Sequence, residues 1–111
     1  MSVRVTPEAL AERTPGRPFA YLVTVGPDQS PHLVAVRVEV FGDSVRCDSV
    51  GSTGTSNVVR SARATLLWPP IVDTESTDEH RDYSLIADGS ATIEGETVVV
   101  RVERAVLHRP A

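Results

Sequence analysis

The chain has 111 residues, enough for one domain with a single hydrophobic core. Its formal net charge is −4, and only 5% of its residues are aromatic, so neither nucleic acid nor an anionic membrane surface is expected as a partner. No stretch approaches the ~20 apolar residues of a membrane helix, and no signal-peptide pattern opens the chain. We therefore expect a cytoplasmic protein.

The basic residues and the cysteine limit the chemistry further. Every basic residue is arginine, so a lysine Schiff base is impossible and the lysine of a nucleotide-binding phosphate loop is missing. Cys47 is the single cysteine, which excludes an internal disulfide, a dithiol redox pair and a cysteine zinc site. His80 and His108 lack the spacing of a metal pair, and no G-x-S-x-G nucleophile motif occurs. No metal is expected, and no catalytic residue stands out.

In chain order, the first predicted element is a short helix over residues 6–13, with Thr6 as its cap and Leu10 facing inward. It belongs to an N-terminal helix and linker, residues 1–16. Alternating apolar residues then predict six strands. These strands span residues 19–25, 32–41, 44–49, 64–68, 83–93 and 97–108.

The segments between the strands complete the predicted fold. Residues 71–82 form a polar, acidic loop that we expect to be solvated and mobile. Asp88 and Gly89 predict a bulge or sharp bend within the fifth strand. In the sixth strand, the alternating residues predicted to share one face are Val98, Val100, Val102 and Val106. Six strands in so short a chain favour a closed or nearly closed antiparallel barrel, forming one domain over residues 1–111.

The stretch 50–70, VGSTGTSNVVRSARATLLWPP, predicts a strand end, a Gly/Ser/Thr loop, a short helix and another strand. A helix starting at Thr55 or Ser56 would aim its free N–H groups and its positive dipole end into the loop formed by residues 51–56. Groups arranged in this way bind phosphate or carboxylate. The alternative is that the small hydroxyl side chains only cap the helix.

The succession of these parts resembles the FMN-binding split-barrel superfamily, the group around pyridoxamine 5′-phosphate oxidase that also includes F420-binding proteins. Three stretches carry the resemblance: PHLVAVRVEV at 31–40, GSTGTSNVVRSARATLLWPP at 51–70 and YSLIADGSA at 83–91. They follow the family's order over about residues 19–107. The resemblance implies an all-β fold, a six-stranded antiparallel split barrel of Greek-key type. It also implies a homodimer with its cofactor in a groove at the dimer interface.

On the strands, the resemblance implies four residues that face the cofactor, FMN or F420. The family's second strand has an arginine and, five residues later, a lysine, and His32 and Arg37 stand at these positions. Cys47 and Asp48 correspond to a pair at the end of the third strand that touches the cofactor. On an unbroken strand His32 and Arg37 would point to opposite faces, so a shared ligand requires a bulge or twist between them. Otherwise Arg37 is an ordinary surface residue.

In the loop and helix, the resemblance implies the phosphate-binding residues. Ser52 matches the family's loop serine, but Thr53 and Gly54 stand where a basic pair is expected. Asn57 fits an asparagine of the smaller family members. Arg60 is a further candidate for the phosphate, and a solvated helix residue is the alternative. The missing cations predict weaker phosphate binding, because charge-assisted hydrogen bonds contribute about 1.5–3 kcal/mol each.

Two functions follow from these residues. The resemblance implies an oxidoreductase that holds FMN or F420 and passes a hydride or electron pair to an organic acceptor. The missing cations favour the alternative, a non-catalytic split-barrel scaffold that has lost tight flavin binding. Pyridoxamine-phosphate oxidase activity itself is not expected, because those enzymes extend further and use C-terminal basic residues to hold substrate. An oligonucleotide-binding barrel is disfavoured by the charge and the scarce aromatics.

Overall fold

The computed structural model describes residues 1–110. Within this range the chain forms eight strands, one 3-10 helix (Pro7–Glu12) and one α-helix, α1 (Ser52–Ser61). No helix in this range is long and apolar enough to cross a membrane. The strands are β1 (Ser2–Val5), β2 (Ala20–Val25), β3 (Pro31–Val36), β4 (Val38–Phe41), β5 (Ser44–Cys47), β6 (Arg63–Trp68), β7 (Ser84–Glu94) and β8 (Thr97–His108).

The strands form one antiparallel sheet in the order β3-β2-β6-β7-β8-β5-β4, and β1 pairs with the C-terminal part of β8. The two ends of this order, β3 and β4, are consecutive in the chain and are separated by Arg37 alone. The segment 31–41 therefore pairs with β2 before Arg37 and with β5 after it. This exchange of neighbours curls the sheet, and the predicted all-β antiparallel split barrel is confirmed.

The strand count differs from the predicted six at two places. The predicted strand 32–41 is broken at Arg37, because a strand that changes neighbours from β2 to β5 has to bend between them. The second difference is β1, which lies inside the predicted linker 1–16 and pairs Val3 with Leu107. Four residues are too few for an alternating pattern to separate a strand from a linker.

Buried and exposed side chains alternate along the strands, as the sequence pattern predicted. The buried side chains form the core inside the barrel. The predicted first helix forms as the 3-10 helix Pro7–Glu12, and its Leu10 is fully buried. Helix α1 packs against β2, β3 and β7. The largest fully buried side chains include Leu22, Val45, Leu66, Trp68, Leu85, Val98, Val100 and Leu107.

The bend predicted at Asp88 and Gly89 coincides with a register shift between β7 and β8. Asp88 pairs with Arg104 while Gly89 pairs with Val102, so β8 has one extra residue at this point. Beyond the bulge, Ala105 and Leu107 are buried in the core. The prediction that Val106 shares the buried face of Val98 and Val102 is therefore wrong, because the extra residue reverses the alternation.

The loop 71–82 is held to the barrel by Arg17, although we expected a mobile excursion. Arg17 exposes 6% of its surface and donates four hydrogen bonds of 2.6–3.1 Å to backbone carbonyls. Burial lowers the pKa of its guanidinium, and the charge of Asp78 opposes part of this shift. The loop also closes on itself, since the Ile71 N–H donates to the Arg81 carbonyl at 2.8 Å. The carbonyls that accept from Arg17 belong to Arg13, Pro69, His80 and Tyr83.

Candidate functional site

Helix α1 begins at Ser52, earlier than the predicted start at Thr55 or Ser56. Gly51 precedes it with a φ of 87°, a conformation that favours glycine. Both the N–H and the hydroxyl of Thr55 donate to the Gly51 carbonyl, at 3.1 and 2.8 Å. Most of the predicted loop 51–56 is therefore the first turn of the helix. The buried residues Asn57 and Val58 fix the helix against the barrel, which outweighs the weak helix propensity of the preceding residues.

The first turn of α1 presents unpaired N–H groups. An α-helix leaves its first N–H groups without an intrahelical partner, and here these belong to Ser52, Thr53 and Gly54. No side chain within residues 1–110 makes a capping hydrogen bond to this helix start. The Thr55 hydroxyl, which could have capped the turn, donates to a carbonyl instead. Together with the positive end of the helix dipole, these N–H groups suit a phosphate or carboxylate.

His32 lies beside this turn. A Cβ atom at position 54 would lie 4.0 Å from His32 Nδ1 and 2.6 Å from Val50 Cγ1, so Gly54 permits the close packing of the helix start. Nδ1 of His32 is buried and has no hydrogen-bond partner within residues 1–110. A buried polar atom of this kind calls for a partner. An Nδ1–H group of this imidazole could donate to an oxyanion bound at the first turn.

The bend at Arg37 borders a groove of about 470 Å³. Its lining includes the predicted residues Arg37 and Asp48, so the structure brings these two together. Asp48 Oδ1 accepts a hydrogen bond of 2.7 Å from Thr97 Oγ1, which orients the carboxylate. Ser49, also in the lining, has a φ of 57°, a strained conformation that the sequence analysis did not anticipate. The remaining lining residues are Ala35, Val36, Val38, Glu39 and Arg46.

Three residues predicted to contact the cofactor have other surroundings in the structure, and their contacts with a cofactor stay predictions. Cys47 is fully buried in the core, facing the same side of β5 as Val45. Asn57 is buried, and its Nδ2 donates to Thr24 Oγ1 at 3.1 Å, which ties α1 to β2. Arg60 lies about 12 Å along the helix from Ser52 and donates to the Val25 carbonyl.

Cys47 is expected to resist thiol reagents. Burial, and to a smaller extent the charge of Asp48, raises the pKa of its thiol to about 12, so the reactive thiolate is scarce near neutral pH. An aromatic disulfide reagent at about pH 8 should react with Cys47 only at the rate of unfolding. The same reagent should modify one thiol per chain at once in denaturant. Rapid stoichiometric reaction of the folded protein would contradict the buried placement.

A second groove, of about 410 Å³, lies at the other end of α1. Arg60 and Arg63 line it, but both guanidinium groups already have partners. Arg63 Nη1 donates to Glu103 at 2.8 Å, and its Nη2 lies 4.0 Å from Asp88. We therefore place the candidate anion site at the first turn of α1 and not here. Within residues 1–110, no group of three or more His, Cys, Asp or Glu residues is placed to hold a metal ion.

Comparisons with known proteins extend these observations. No protein-family model matches the chain. The uncharacterized protein Mb0449c of Mycobacterium bovis is 33% identical to it, over 97% of this chain and 82% of that protein. The crystal structure of an FAD-binding protein from Mesorhizobium loti is similar, with a TM-score of 0.69 and 8% identity over 96% of both chains. An F420 reductase has a TM-score of 0.58 and 15% identity, over 90% of this chain and 93% of that chain.

These similarities have different weights. Identity of 33% over nearly the whole chain shows common family membership with the mycobacterial protein. The solved structures are too distant in sequence to show more than a shared fold, and that fold is the split barrel that the sequence predicted. The chain therefore belongs to the family of this mycobacterial protein, and it shares the split-barrel fold of the solved structures.

Proposed function

We propose that the protein is a cytoplasmic homodimer that binds FMN or F420 and acts as a small oxidoreductase. In this proposal the cofactor phosphate lies at the first turn of α1, and its ring lies in the groove beside Arg37 and Asp48. The observation that carries the proposal is the buried, unpartnered Nδ1 of His32 beside an uncapped helix start. The FAD-binding protein and the F420 reductase with the same fold support a flavin-type cofactor.

The residues at this position fit a phosphate held mainly by backbone N–H groups. The N–H groups of Ser52, Thr53 and Gly54 would donate to it, and His32 would add a donor through Nδ1–H. Arg37 is exposed at the bend and would supply a cation at the groove. A bound flavin would supply hydride or electron-pair transfer, and the chain's part is to bind it, orient it and exclude water.

The outer face of the sheet supports the homodimer. A cross-strand row runs over five strands through Ala35, Tyr21, Leu67, Ile86 and Val106, which are paired in register. Beside this row, Leu33 is 58% exposed and Val25 is 40% exposed. An apolar row of this kind suits a protein interface, and a second copy would have to cover roughly 1,000 Å² in total.

Light scattering tests the dimer. The wild-type protein should be a dimer at micromolar concentration, and Leu33→Glu should shift it toward monomer by placing a charge in the apolar face. Val72→Glu is the matched control, because Val72 is 87% exposed in the loop 71–82 and should not alter the mass. A monomeric wild-type protein would overturn the dimer and the interfacial cofactor site.

Thr53→Arg should strengthen FMN binding. Thr53 is exposed in the first turn of α1, and an arginine there restores one of the loop cations of the family. We expect a gain of about 1.5–2 kcal/mol, or roughly 10- to 30-fold in Kd, that shrinks as salt screens the added charge. Gly54→Lys is unsuitable, because its Cβ would lie 2.6 Å from Val50 Cγ1.

Val59→Arg is the matched control for this prediction. Val59 is 71% exposed on the same helix, so the variant adds the same charge about 9 Å further along the axis. Calorimetric titration at low salt should show the gain for Thr53→Arg and little change for Val59→Arg. Equal effects of the two variants would mean that the first turn does not bind the phosphate.

Crystals soaked with FMN give a direct test of the proposed placement. We expect the phosphate within hydrogen-bond reach of the N–H groups of residues 52–54. If no flavin binds there or elsewhere in solution, the non-catalytic scaffold is the better account of the chain.

A further inference from the structure

We propose that the groove between β1 and β8 is a separate anion site, which binds a small molecule through a phosphate or carboxylate group held by Arg4 and Arg104. The groove has a volume of about 610 Å³ and is lined by residues 4–7 and 103–106. A volume of this size is typical of small-molecule sites. The groove shares no lining residue with the two other grooves, so the inference does not depend on the proposed cofactor site.

The groove lies at a gap in the sheet. Strand β7 pairs with β8 along the whole length of β8, so β1 and β5 both have to pair with the other edge of β8. The pairing with β5 ends at Arg101, and the pairing with β1 begins at Ala105. Strand β1 stops there because the chain turns into the 3-10 helix at Pro7, which has no N–H group for the ladder. Within residues 1–110, no strand therefore pairs with residues 103 and 104 at this edge.

Two arginine side chains border this gap on the same face of the sheet. Arg4 is paired with Val106, and Arg104 is two residues before Val106 on β8. The two arginines are therefore diagonal neighbours on the outer face. Residues in this arrangement are about 7–8 Å apart, a distance that long side chains span. Both guanidinium groups can therefore donate to one anion that lies between them.

These two guanidinium groups have no partner in the protein. Arg4 and Arg104 are exposed, and within residues 1–110 neither guanidinium forms an ion pair or a side-chain hydrogen bond. Like charges on neighbouring strands repel each other. A bound anion would remove this repulsion.

The acidic residues beside the groove are engaged by a third arginine. Glu103 accepts a hydrogen bond of 2.8 Å from Arg63 Nη1. Asp88, which is opposite Arg104 in the ladder, lies 4.0 Å from Arg63 Nη2. Three arginines, Arg4, Arg63 and Arg104, thus accompany two carboxylates, so one positive charge is left over at the groove. This local excess occurs in a chain whose net charge is −4.

The donors at the groove suit an oxyanion. A guanidinium group donates two parallel hydrogen bonds to a carboxylate or a phosphate, and this geometry distinguishes both from a halide ion. The Thr6 hydroxyl also lines the groove and makes no capping hydrogen bond to the helix that follows it. It is a further donor for the same ligand.

The experiment is an NMR titration of the ¹⁵N-labelled protein with inorganic phosphate and with succinate, at an ionic strength held constant with sodium chloride. We expect saturable shifts of the amides of residues 4–6 and 103–106, with a Kd on the order of 1 mM. The amides of residues 52–54 report separately on phosphate at the first turn of α1. Saturation by phosphate alone would assign the site to phosphate esters, and saturation by succinate alone would assign it to carboxylates.

Substitutions test the two arginines. Arg4→Gln and Arg104→Gln should each weaken anion binding at the groove about tenfold, because each removes a charged donor. Arg101→Gln is the matched control, since the Arg101 side chain is 75% exposed on the same strand but lies outside the groove. It removes the same charge and should change the Kd by less than about twofold. FMN titration of Arg4→Gln should give the wild-type Kd.

Two results would overturn the site. One is the absence of saturable shifts at residues 4–6 and 103–106 with both anions. The other is an equal loss of affinity in Arg104→Gln and Arg101→Gln, which would show an effect of net charge alone. If a variant does not fold, the titration of the wild-type protein decides by itself.

Discussion

Gly89→Ala is expected to destabilise the protein by about 3 kcal/mol or more, a large share of the 5–15 kcal/mol that stabilises a typical domain. Gly89 lies at the β7–β8 bulge, where an added Cβ would overlap the Arg101 carbonyl oxygen. The same Cβ would lie 2.8 Å from the Arg101 carbonyl carbon and 3.0 Å from Val102 Cα. These are backbone atoms of the paired strand, so the clash can be relieved only by opening the ladder.

Urea unfolding measures this effect as a lower midpoint. Ser90→Ala, at the next position of β7, is the matched control and should change the free energy of unfolding by less than about 0.5 kcal/mol. An unfolding midpoint for Gly89→Ala equal to that of wild type would contradict the close approach of β7 and β8.

Arg17→Lys is expected to cost about 2–4 kcal/mol and to loosen the loop 71–82. A lysine ammonium cannot reproduce the planar guanidinium that donates to four carbonyls, so several buried acceptors would lose their donors. Because three of these acceptors belong to Pro69, His80 and Tyr83, the loop should open with the substitution. Hydrogen exchange should show faster amide exchange over residues 71–82 than in the wild type.

Arg104→Lys serves as the control for charge and residue type. Arg104 is exposed on β8, so this variant should leave both the stability and the exchange of the loop unchanged. Unaltered exchange over residues 71–82 in Arg17→Lys would show that Arg17 does not hold the loop.

Most of the barrel was predictable because its strands alternate between one buried and one exposed face. Residues such as Leu22, Leu66 and Leu85 follow this pattern and lie in the core. The bend at Arg37 was harder to predict from the sequence. It arises because the strand pairs with β2 before this residue and with β5 after it. The role of Arg17 was not predictable, because three of its four acceptors lie more than 50 residues away along the chain.

The candidate site was predictable in part. A helix start near Ser52, Thr53 and Gly54 followed from the small residues after Gly51, but the sequence placed that start too late, at Thr55 or Ser56. The burial of Cys47 was predictable, because it is two residues after Val45 and therefore shares its buried face. The partner of Asn57 could not have been foreseen, since Thr24 lies on a distant strand.

Titration of the purified protein with FMN and with F420, followed by absorbance and fluorescence, tests the central claim most directly. Our account predicts saturable binding of at least one cofactor at micromolar concentration, with one cofactor per protomer, and tighter FMN binding by Thr53→Arg than by Val59→Arg. Absence of binding of either cofactor to wild-type and Thr53→Arg proteins, at both about pH 5.5 and about pH 8, would contradict it.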